Sequence, residues 1–407
     1  MRTSTANSFE AGINSLQGRQ QEMQTAQERL TTGKRVARAS DDPTAAARAE
    51  RAIASINRLD ANQRSVDSSR NALQQSESAT GDAINLMQQV RAALVTAGNG
   101  SYTDTDRTVL ANQMTHLRAS LLEVANRTDG SGGYLFGGQG AAQAPFLDAP
   151  GGVQYKGTPG ALRGSQQENM PLSVDGAAAW MQAPTGNGIF ETKLGPNLVT
   201  GAASSTTAWI DVGSVTDPSQ LALVPGTVYS VQFTGVGPTS AYTVLKNGVA
   251  TAVAGPFVSG QAIQIDGMSV AISGAPANGD TFKIVPSTNT QSIFSALDRT
   301  ISDLLTPNRT PYQVAQTTTF GLRDFDAALG RMTSVRSEIG DAMNSLDGTE
   351  SRFASQKLYS QTEQSDSTDL DMVKGISAFQ NQQTGYDVAL KAYSMVQRLT
   401  LFQYLNG

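Results

Sequence analysis

Apolar residues near both ends of the chain recur every seven positions. The first series comprises Phe9, Leu16, Met23 and Leu30. After Pro43 a second series comprises Leu59, Val66, Leu73, Met87 and Leu94. Near the C-terminus the series is Phe379, Tyr386 and Tyr393, with Ile376 and Leu390 on the adjoining row. A strict seven-residue repeat is typical of the seam between supercoiling helices, so both ends are predicted to form long helices.

The middle of the chain carries a different pattern. Residues 131–290 hold 12 of the 15 prolines and 25 of the 39 glycines, and both residue types disfavour helix interiors. Apolar and polar residues alternate along 228–233, which predicts a strand. Asn247 and Gly248 follow another strand-like run and predict a two-residue hairpin turn. Because such short strands recur about every ten residues, the middle is predicted to form a small β-sandwich or barrel.

Together these patterns predict a multidomain α + β protein. Neither terminal helix can bury its narrow apolar stripe alone, because isolated helices are marginal in water. The simplest arrangement pairs the long N- and C-terminal helices as a coiled coil and helical bundle, with an inserted all-β outer domain. The predicted parts are an N-terminal arm at 1–42, bundle segments at 43–140 and 291–365, a β region at 141–290 and a C-terminal arm at 366–407.

Composition excludes several kinds of chemistry. The 407 residues include no cysteine and one histidine, which rules out disulfides, thiolate metal sites and histidine-cluster zinc sites. A net charge of −5 argues against general nucleic-acid binding, which requires a basic surface. No run approaches 18 apolar residues, so no membrane-spanning helix is expected. The first residues lack the apolar segment of an ordinary secretory signal peptide, so a cleavable signal is not expected either.

Catalytic and ligand-binding patterns are weak along the whole chain. Gly33 and Lys34 lack the upstream spacing of a phosphate-binding loop, and no cofactor or metal is predicted. Arginines between positions 48 and 70 alternate with acidic residues, which favours a solvated helix face over nucleic-acid contact. An enzyme in the β region and a helical adhesin stay open as alternatives. The carboxylates available to such an enzyme are Asp211, Asp217, Asp266 and Asp280.

One motif follows directly on the first heptad series. Residues 30–43 have the sequence LTTGKRVARASDDP, which closely resembles the N-terminal signature of the bacterial flagellin family. The opening MRTST, the segment GYLFGG at 133–138 and the final LTLFQYL at 399–405 are more similar to the junction proteins of that family than to flagellin itself. The residues that carry the family signature are Gly33, Arg35, Asp41, Asp42, Pro43, Tyr134, Phe136 and Gly137.

The resemblance covers roughly 1–160 and 290–407 and implies a function. It implies a structural adaptor that joins the flagellar hook to the flagellin filament, outside the cell, after export by the flagellar type III apparatus. The implied partners are the first hook–filament junction protein, flagellin, copies of the chain itself in a ring and an export chaperone. No enzyme activity, nucleic-acid partner or membrane partner is implied. Flagellin or a minor filament subunit is the alternative within the family.

The stripes at the two ends are expected to form the interface between subunits, because the arms offer few other residues that could bury them. The expected interface residues are Phe9, Leu16, Met23, Leu30, Ile376, Phe379, Tyr386, Leu390 and Tyr393. The resemblance also implies that a chaperone holds the C-terminal helix before export. Its expected contacts are Phe379, Tyr386, Tyr393 and Phe402.

Overall fold

The computed structural model describes residues 2–130, 132–141, 143–164 and 170–405. Long helices lie at both ends with a β region between them, which confirms the predicted fold class. The helices are α1 (Arg2–Thr32), α2 (Pro43–Ala97), α3 (Asp104–Ala125), α4 (Gly176–Trp180), α5 (Ile293–Leu305), α6 (Pro311–Thr368) and α7 (Met372–Leu405). The strands are β1 (Phe146–Ala149), β2 (Gly152–Tyr155), β3 (Phe190–Leu194), β4 (Ala208–Ile210), β5 (Ser214–Val215), β6 (Tyr229–Thr234), β7 (Ala241–Lys246), β8 (Val249–Pro256), β9 (Ala262–Ile265), β10 (Met268–Gly274) and β11 (Thr281–Pro286).

The chain divides into two compact units. The first is built from the two ends of the chain, up to Arg64 and from Thr349 onward, and the second contains the residues between them. In the first unit α1 packs antiparallel against α7, as predicted. There the first part of α2 also lies beside the last part of α6, where Lys357 pairs with Asp60 at 2.6 Å. The domain boundaries drawn from the sequence stay predictions.

Capping residues and helix-breaking residues set several helix ends. Helix α2 begins at Pro43, and Asp42 accepts hydrogen bonds from the N–H groups of Thr44 and Ala45. It ends at Ala97, directly before Gly98, Asn99 and Gly100. Helix α3 begins with a capping box, in which the side chains of Thr103 and Asp106 each accept from the other's backbone N–H.

The second heptad series forms the buried core of α2. Leu59 is buried in the first unit, and Val66, Leu73, Met87 and Leu94 are buried in the second. Thr80 fills the vacant position of the series and donates its hydroxyl to the carbonyl of Ser76. In the second unit ion pairs join α2 to α6, between Arg70 and Asp347, Glu77 and Arg336, and Arg91 and Asp326. This stripe is therefore ordinary core within one chain.

The strands of the second unit form two antiparallel sheets and a separate hairpin. The larger sheet has the order β3-β11-β6-β7-β8. In the smaller sheet β10 pairs with β4, β5 and β9. Strands β1 and β2 pair only with each other among the described strands.

The two sheets share one apolar core, which makes them a sandwich. Tyr229, Val231 and Phe282 from the larger sheet and Ile272 and Met268 from the smaller one are all buried in it. Asn247 and Gly248 connect β7 to β8 with positive φ at both residues, as the predicted hairpin turn requires. Residues along these short strands point alternately into and out of the sandwich, so each sheet buries one face.

Candidate assembly surface

The seam between α1 and α7 brings the two terminal stripes together within one chain. The rings of Phe9 and Tyr393 are 5.5 Å apart and tilted by 41°. Leu30, at the other end of α1, approaches the backbone of α7 at Gly375. The half-buried members of the predicted interface are Leu16, Met23, Leu30, Phe379, Tyr386 and Tyr393. The three α7 residues in this set are seven residues apart, as the sequence repeat requires. The apolar stripe of α7 is therefore covered largely by α1 of the same chain.

Other predicted interface residues keep much of their surface exposed. Ile376 and Leu390 are 47% and 42% exposed, and Phe9 keeps 45% of its surface exposed despite its contact with Tyr393. Further exposed apolar residues on α7 are Met372, Val373, Val388 and Met395. Phe402 lies outside the residues whose side chains the structure describes. The described arms thus carry apolar surface beyond what pairing with each other covers.

The connector after α1 is held against the connector before α7. The backbone N–H of Arg35 donates to the carbonyl of Thr368 at 2.7 Å, and the N–H of Leu370 donates to the carbonyl of Gly33 at 2.8 Å. The Arg35 guanidinium adds a bond to the carbonyl of Ser367 at 2.7 Å. Gly33 has a φ of +69°, in the left-handed region that favours glycine. We call these residues, 33–36 with 367–370, the connector clamp.

Asp41 and Asp42 complete the entry into α2. Asp41 accepts from the backbone N–H groups of Arg38 and Ala37, and these bonds, that from Arg38 foremost, hold the pKa of its carboxyl below the usual value. Asp42 accepts from the N–H of Ala45 and from Thr44 and Arg35, which lowers its pKa to about 2. The signature residues thus order the backbone between the first arm and the helix that follows.

The second part of the signature lies in the second unit and is a packing motif. Phe136 is fully buried, with its ring 5.4 Å from that of Trp180 in an edge-to-face arrangement. The backbone of Tyr134 pairs with that of Thr128 in an isolated antiparallel β-bridge. Gly137 lies close beneath Tyr134, where an added β-carbon would be 3.2 Å from the Tyr134 carbonyl oxygen. These residues therefore fix a tight turn beside the aromatic core.

The four carboxylates considered for an enzyme serve local structure. Asp211 is half-buried, and burial raises its pKa. Each carboxylate accepts a hydrogen bond from its own neighbourhood: Asp211 from Ala271, Asp217 from Ser219, Asp266 from Tyr229 and Asp280 from Asn197. Among the described residues no group of three acidic, histidine or cysteine side chains could hold a metal ion. Within the part of the chain that the structure describes, none of the helices combines the length and apolar character that a membrane span requires.

Sequence reasoning missed two features of this surface. Asp371 accepts from the N–H groups of Val373 and Lys374 and so caps α7, although the acidic run at 366–371 offers other candidates. The bond from Lys374 foremost lowers the pKa of Asp371. The connector clamp was also missed, because its bonds are mostly between backbone groups and leave little trace in side-chain pattern.

Known flagellar proteins resemble this chain in sequence. Residues 4–141 match the bacterial flagellin N-terminal helical region. Along its full length the chain is 27% identical to flagellar hook-associated protein 3 of Escherichia coli strain K12, over 412 aligned positions that cover 99% of each protein. The chain is thus similar to hook-associated protein 3 over its whole length and to bacterial flagellins over its N-terminal helical region.

The structural comparison also points to hook-associated protein 3. The crystal structure of hook-associated protein 3 from Legionella pneumophila covers 77% of this chain and 97% of its own, with 27% identity and a TM-score of 0.69. A match to polar flagellin F of Vibrio parahaemolyticus is 31% identical but covers only 27% of this chain and 29% of that flagellin. Similarity to flagellin is thus partial, whereas similarity to hook-associated protein 3 extends over the whole chain.

Proposed function

We propose that this chain is the structural adaptor of the bacterial flagellum that joins the hook to the flagellin filament. The observation that carries this proposal is the full-length similarity to hook-associated protein 3, against similarities to flagellins that cover between 27% and 33% of the chain. The protein is a flagellar component with a structural task. The four carboxylates considered for an enzyme, Asp211, Asp217, Asp266 and Asp280, each accept a local hydrogen bond.

The finer assignment concerns the partners. The adaptor contacts the first junction protein on the hook side, flagellin on the filament side and copies of itself within one ring, outside the cell. Exposed apolar residues of the arms, such as Ile376, Leu390 and Val388, support contacts between chains, because their burial against neighbours is favourable at about 25 cal/mol per Å². The seam between α1 and α7 supports these contacts indirectly, because it holds the two arms together. The predicted interface residues on this seam are Phe9, Leu16, Met23, Leu30, Phe379, Tyr386 and Tyr393.

An export chaperone is the remaining proposed partner. Phe379, Tyr386 and Tyr393 are half-buried on the side of α7 that packs against α1. A chaperone that contacts these three residues therefore takes the place of α1. Removal of residues 2–32 should then strengthen capture of the chain by the chaperone, whereas removal of the last 40 residues should abolish it. Undiminished capture after the second truncation would remove the chaperone from this proposal.

Cell-free assembly separates the adaptor from a filament subunit. Purified hooks that carry the first junction protein are mixed with flagellin monomers, with and without this chain. An adaptor should be needed in small amounts for flagellin to elongate on the hooks, and alone it should form no long filaments. Long filaments formed by this chain alone would favour the alternative, a flagellin or minor filament subunit.

A further inference from the structure

Strand β8 lies at one edge of the larger sheet and carries no charged residue. Its sequence is VATAVAGP, and its eight residues make it longer than any other described strand. Val249 is 71% exposed, and Ala250, Ala252 and Ala254 are exposed as well. Among the described strands β8 pairs with β7 alone. A long, apolar and uncharged edge of this kind is a template on which a strand of another chain can pair.

Two other edge strands of the sandwich are bonded to helix α6. The side-chain amide of Gln316 donates to the carbonyl of Ile210 on β4 at 3.0 Å and accepts from its N–H at 2.9 Å, as a neighbouring strand would. Seven residues further along α6, the guanidinium of Arg323 donates to the carbonyl of Thr192 on β3 at 3.0 Å. Strand β3 is the edge opposite β8 in the larger sheet. Side chains of this chain thus take backbone groups that a foreign strand would need at both edges.

At β8 the backbone itself is irregular. Leu245 of β7 pairs with Ala250 of β8. Two residues earlier on β7, Thr243 pairs with Ala254, which lies four residues further along β8. Val244 alone on β7 thus faces residues 251–253 of β8, which is a β-bulge. A bulge bends its strand and increases the local twist, so this edge does not present an even row of backbone groups.

The hydroxyl of Thr251 holds the bulge in place. It donates to the carbonyl of Val244 at 2.8 Å and accepts from the N–H of Val253 at 3.2 Å. The hydroxyl therefore supplies partners to two backbone groups within the interrupted stretch, where an unpaired group would be costly. The side chain of Val253 also packs against the apolar core of the sandwich. We call residues 251–253 with these bonds the Thr251 bulge.

A regular edge is available to the same sequence. If the second half of β8 shifted by two residues, Thr251 would lie opposite Val244, and Val253 would lie opposite Tyr242. Such a shift keeps the inward residues inward, because side chains along a strand alternate with a period of two. The alternation of residues alone thus does not require the bulge. The two bonds of the Thr251 hydroxyl favour the bulged register over the regular one.

We propose that the Thr251 bulge prevents β8 from pairing with the β8 strand of a second copy of this chain. Two identical strands without charges can pair antiparallel about a two-fold axis, and no like charges then oppose each other. The bulge interrupts such a pairing in its middle, where two regular edges would share a continuous row of hydrogen bonds. This inference goes beyond the proposed adaptor function. In a ring of such adaptors, it keeps the sandwiches from joining copies in other arrangements.

Sedimentation velocity of the purified full chain over a range of concentrations tests the proposal. Deletion of Thr251 and Ala252 leaves Val253 opposite Val244, so that β8 forms a regular ladder in the register that both of its ends already have. This variant should associate about tenfold more tightly than the unchanged chain, which corresponds to about 1.4 kcal/mol. The amides of β8 should become protected from hydrogen exchange as the concentration rises. Contacts through the arms are common to both chains and cancel in the comparison.

Three substitutions sharpen the test. Thr251→Val removes the hydroxyl but no residue, and it should strengthen association by about threefold or more, since both bonds that favour the bulge are lost. Thr243→Val removes a hydroxyl from the neighbouring strand and should leave association unchanged. Ala254→Lys, added to the deletion or to Thr251→Val, should return association to that of the unchanged chain, because a lysine on an edge strand opposes the addition of another strand.

The outcomes separate the edge of β8 from other causes of association. The proposal is overturned if neither Thr251 variant associates more tightly than the unchanged chain. If the deletion unfolds the second unit, as seen by circular dichroism, Thr251→Val alone decides. Tighter association that Ala254→Lys does not reverse would also overturn the proposal, because the contact would then not involve this edge. None of these results depends on whether the chain joins hook to filament.

Discussion

The backbone N–H of Arg35 donates to the carbonyl oxygen of Thr368 at 2.7 Å, so the chain leaving α1 is held against the end of α6. The two residues are far apart in sequence but meet where each long helix gives way to a terminal arm. The family signature therefore has a structural meaning. Its glycine and arginine form the connector clamp, and its two aspartates order the entry into α2.

Gly33→Ala should weaken the connector clamp. Gly33 adopts a φ of +69°, and the left-handed conformation costs a residue with a β-carbon about 1–2 kcal/mol. Amide hydrogen exchange of residues 33–36 and 367–370 should accelerate, whereas Gly18→Ala on α1 should not affect them. Unchanged protection in Gly33→Ala would show that the clamp does not depend on this backbone conformation.

Leu16→Asp with Met23→Asp should separate the arms. Both side chains are half-buried on the seam, and a charge placed there loses hydration without gaining a partner, at about 1–3 kcal/mol each. Cells that carry the double variant should export the chain but attach no filaments, and the second unit should keep its unfolding midpoint. Gln17→Asp with Gln24→Asp adds the same charge at exposed positions of the same helix and should support filaments. Normal filaments in the first variant would remove the seam from the account of assembly.

The connector should lose stability in acid. The folded-state pKa of Asp42 is about 2, below its usual value of 3.8, and those of Asp41 and Asp371 are also lowered. Depressed carboxyl pKa values contribute stability that is present above the unfolded value and is lost as the pH falls through the folded one. The thermal midpoint of the first unit should therefore change little between pH 7 and about 5 on their account and fall between about 4 and 2. Asp42→Asn should reduce that fall, and an identical profile in the variant would contradict the role of Asp42.

Leu73→Ala should destabilise the second unit by about 2–5 kcal/mol, because it leaves a cavity in a buried position of α2. Val95→Ala on the same helix is the control, since Val95 is exposed and its truncation should change stability by no more than about 0.5 kcal/mol. Hydrogen exchange, measured as a function of urea concentration, gives the free energy of unfolding of the second unit in each variant. Equal effects would contradict the assignment of this heptad series to intrachain core.

The sequence pattern predicted secondary-structure elements better than it predicted which helix packs against which. The heptads from Phe9 and from Leu59 located two long helices, and Asn247–Gly248 located a hairpin, because each is a local preference. A heptad stripe does not reveal which helix covers it, so Leu16 and Met23 could be assigned to other subunits although they lie on a seam within one chain. The cap at Asp371 could not be chosen among neighbouring carboxylates, and the bonds between Arg35 and Thr368 involve backbone groups that every residue carries.

The most direct test of the adaptor assignment is negative-stain electron microscopy of cells that lack this gene. The account predicts hooks without filaments, with flagellin released into the medium, and restoration by the intact chain. Filaments of normal length and number on the hooks of such cells would contradict it.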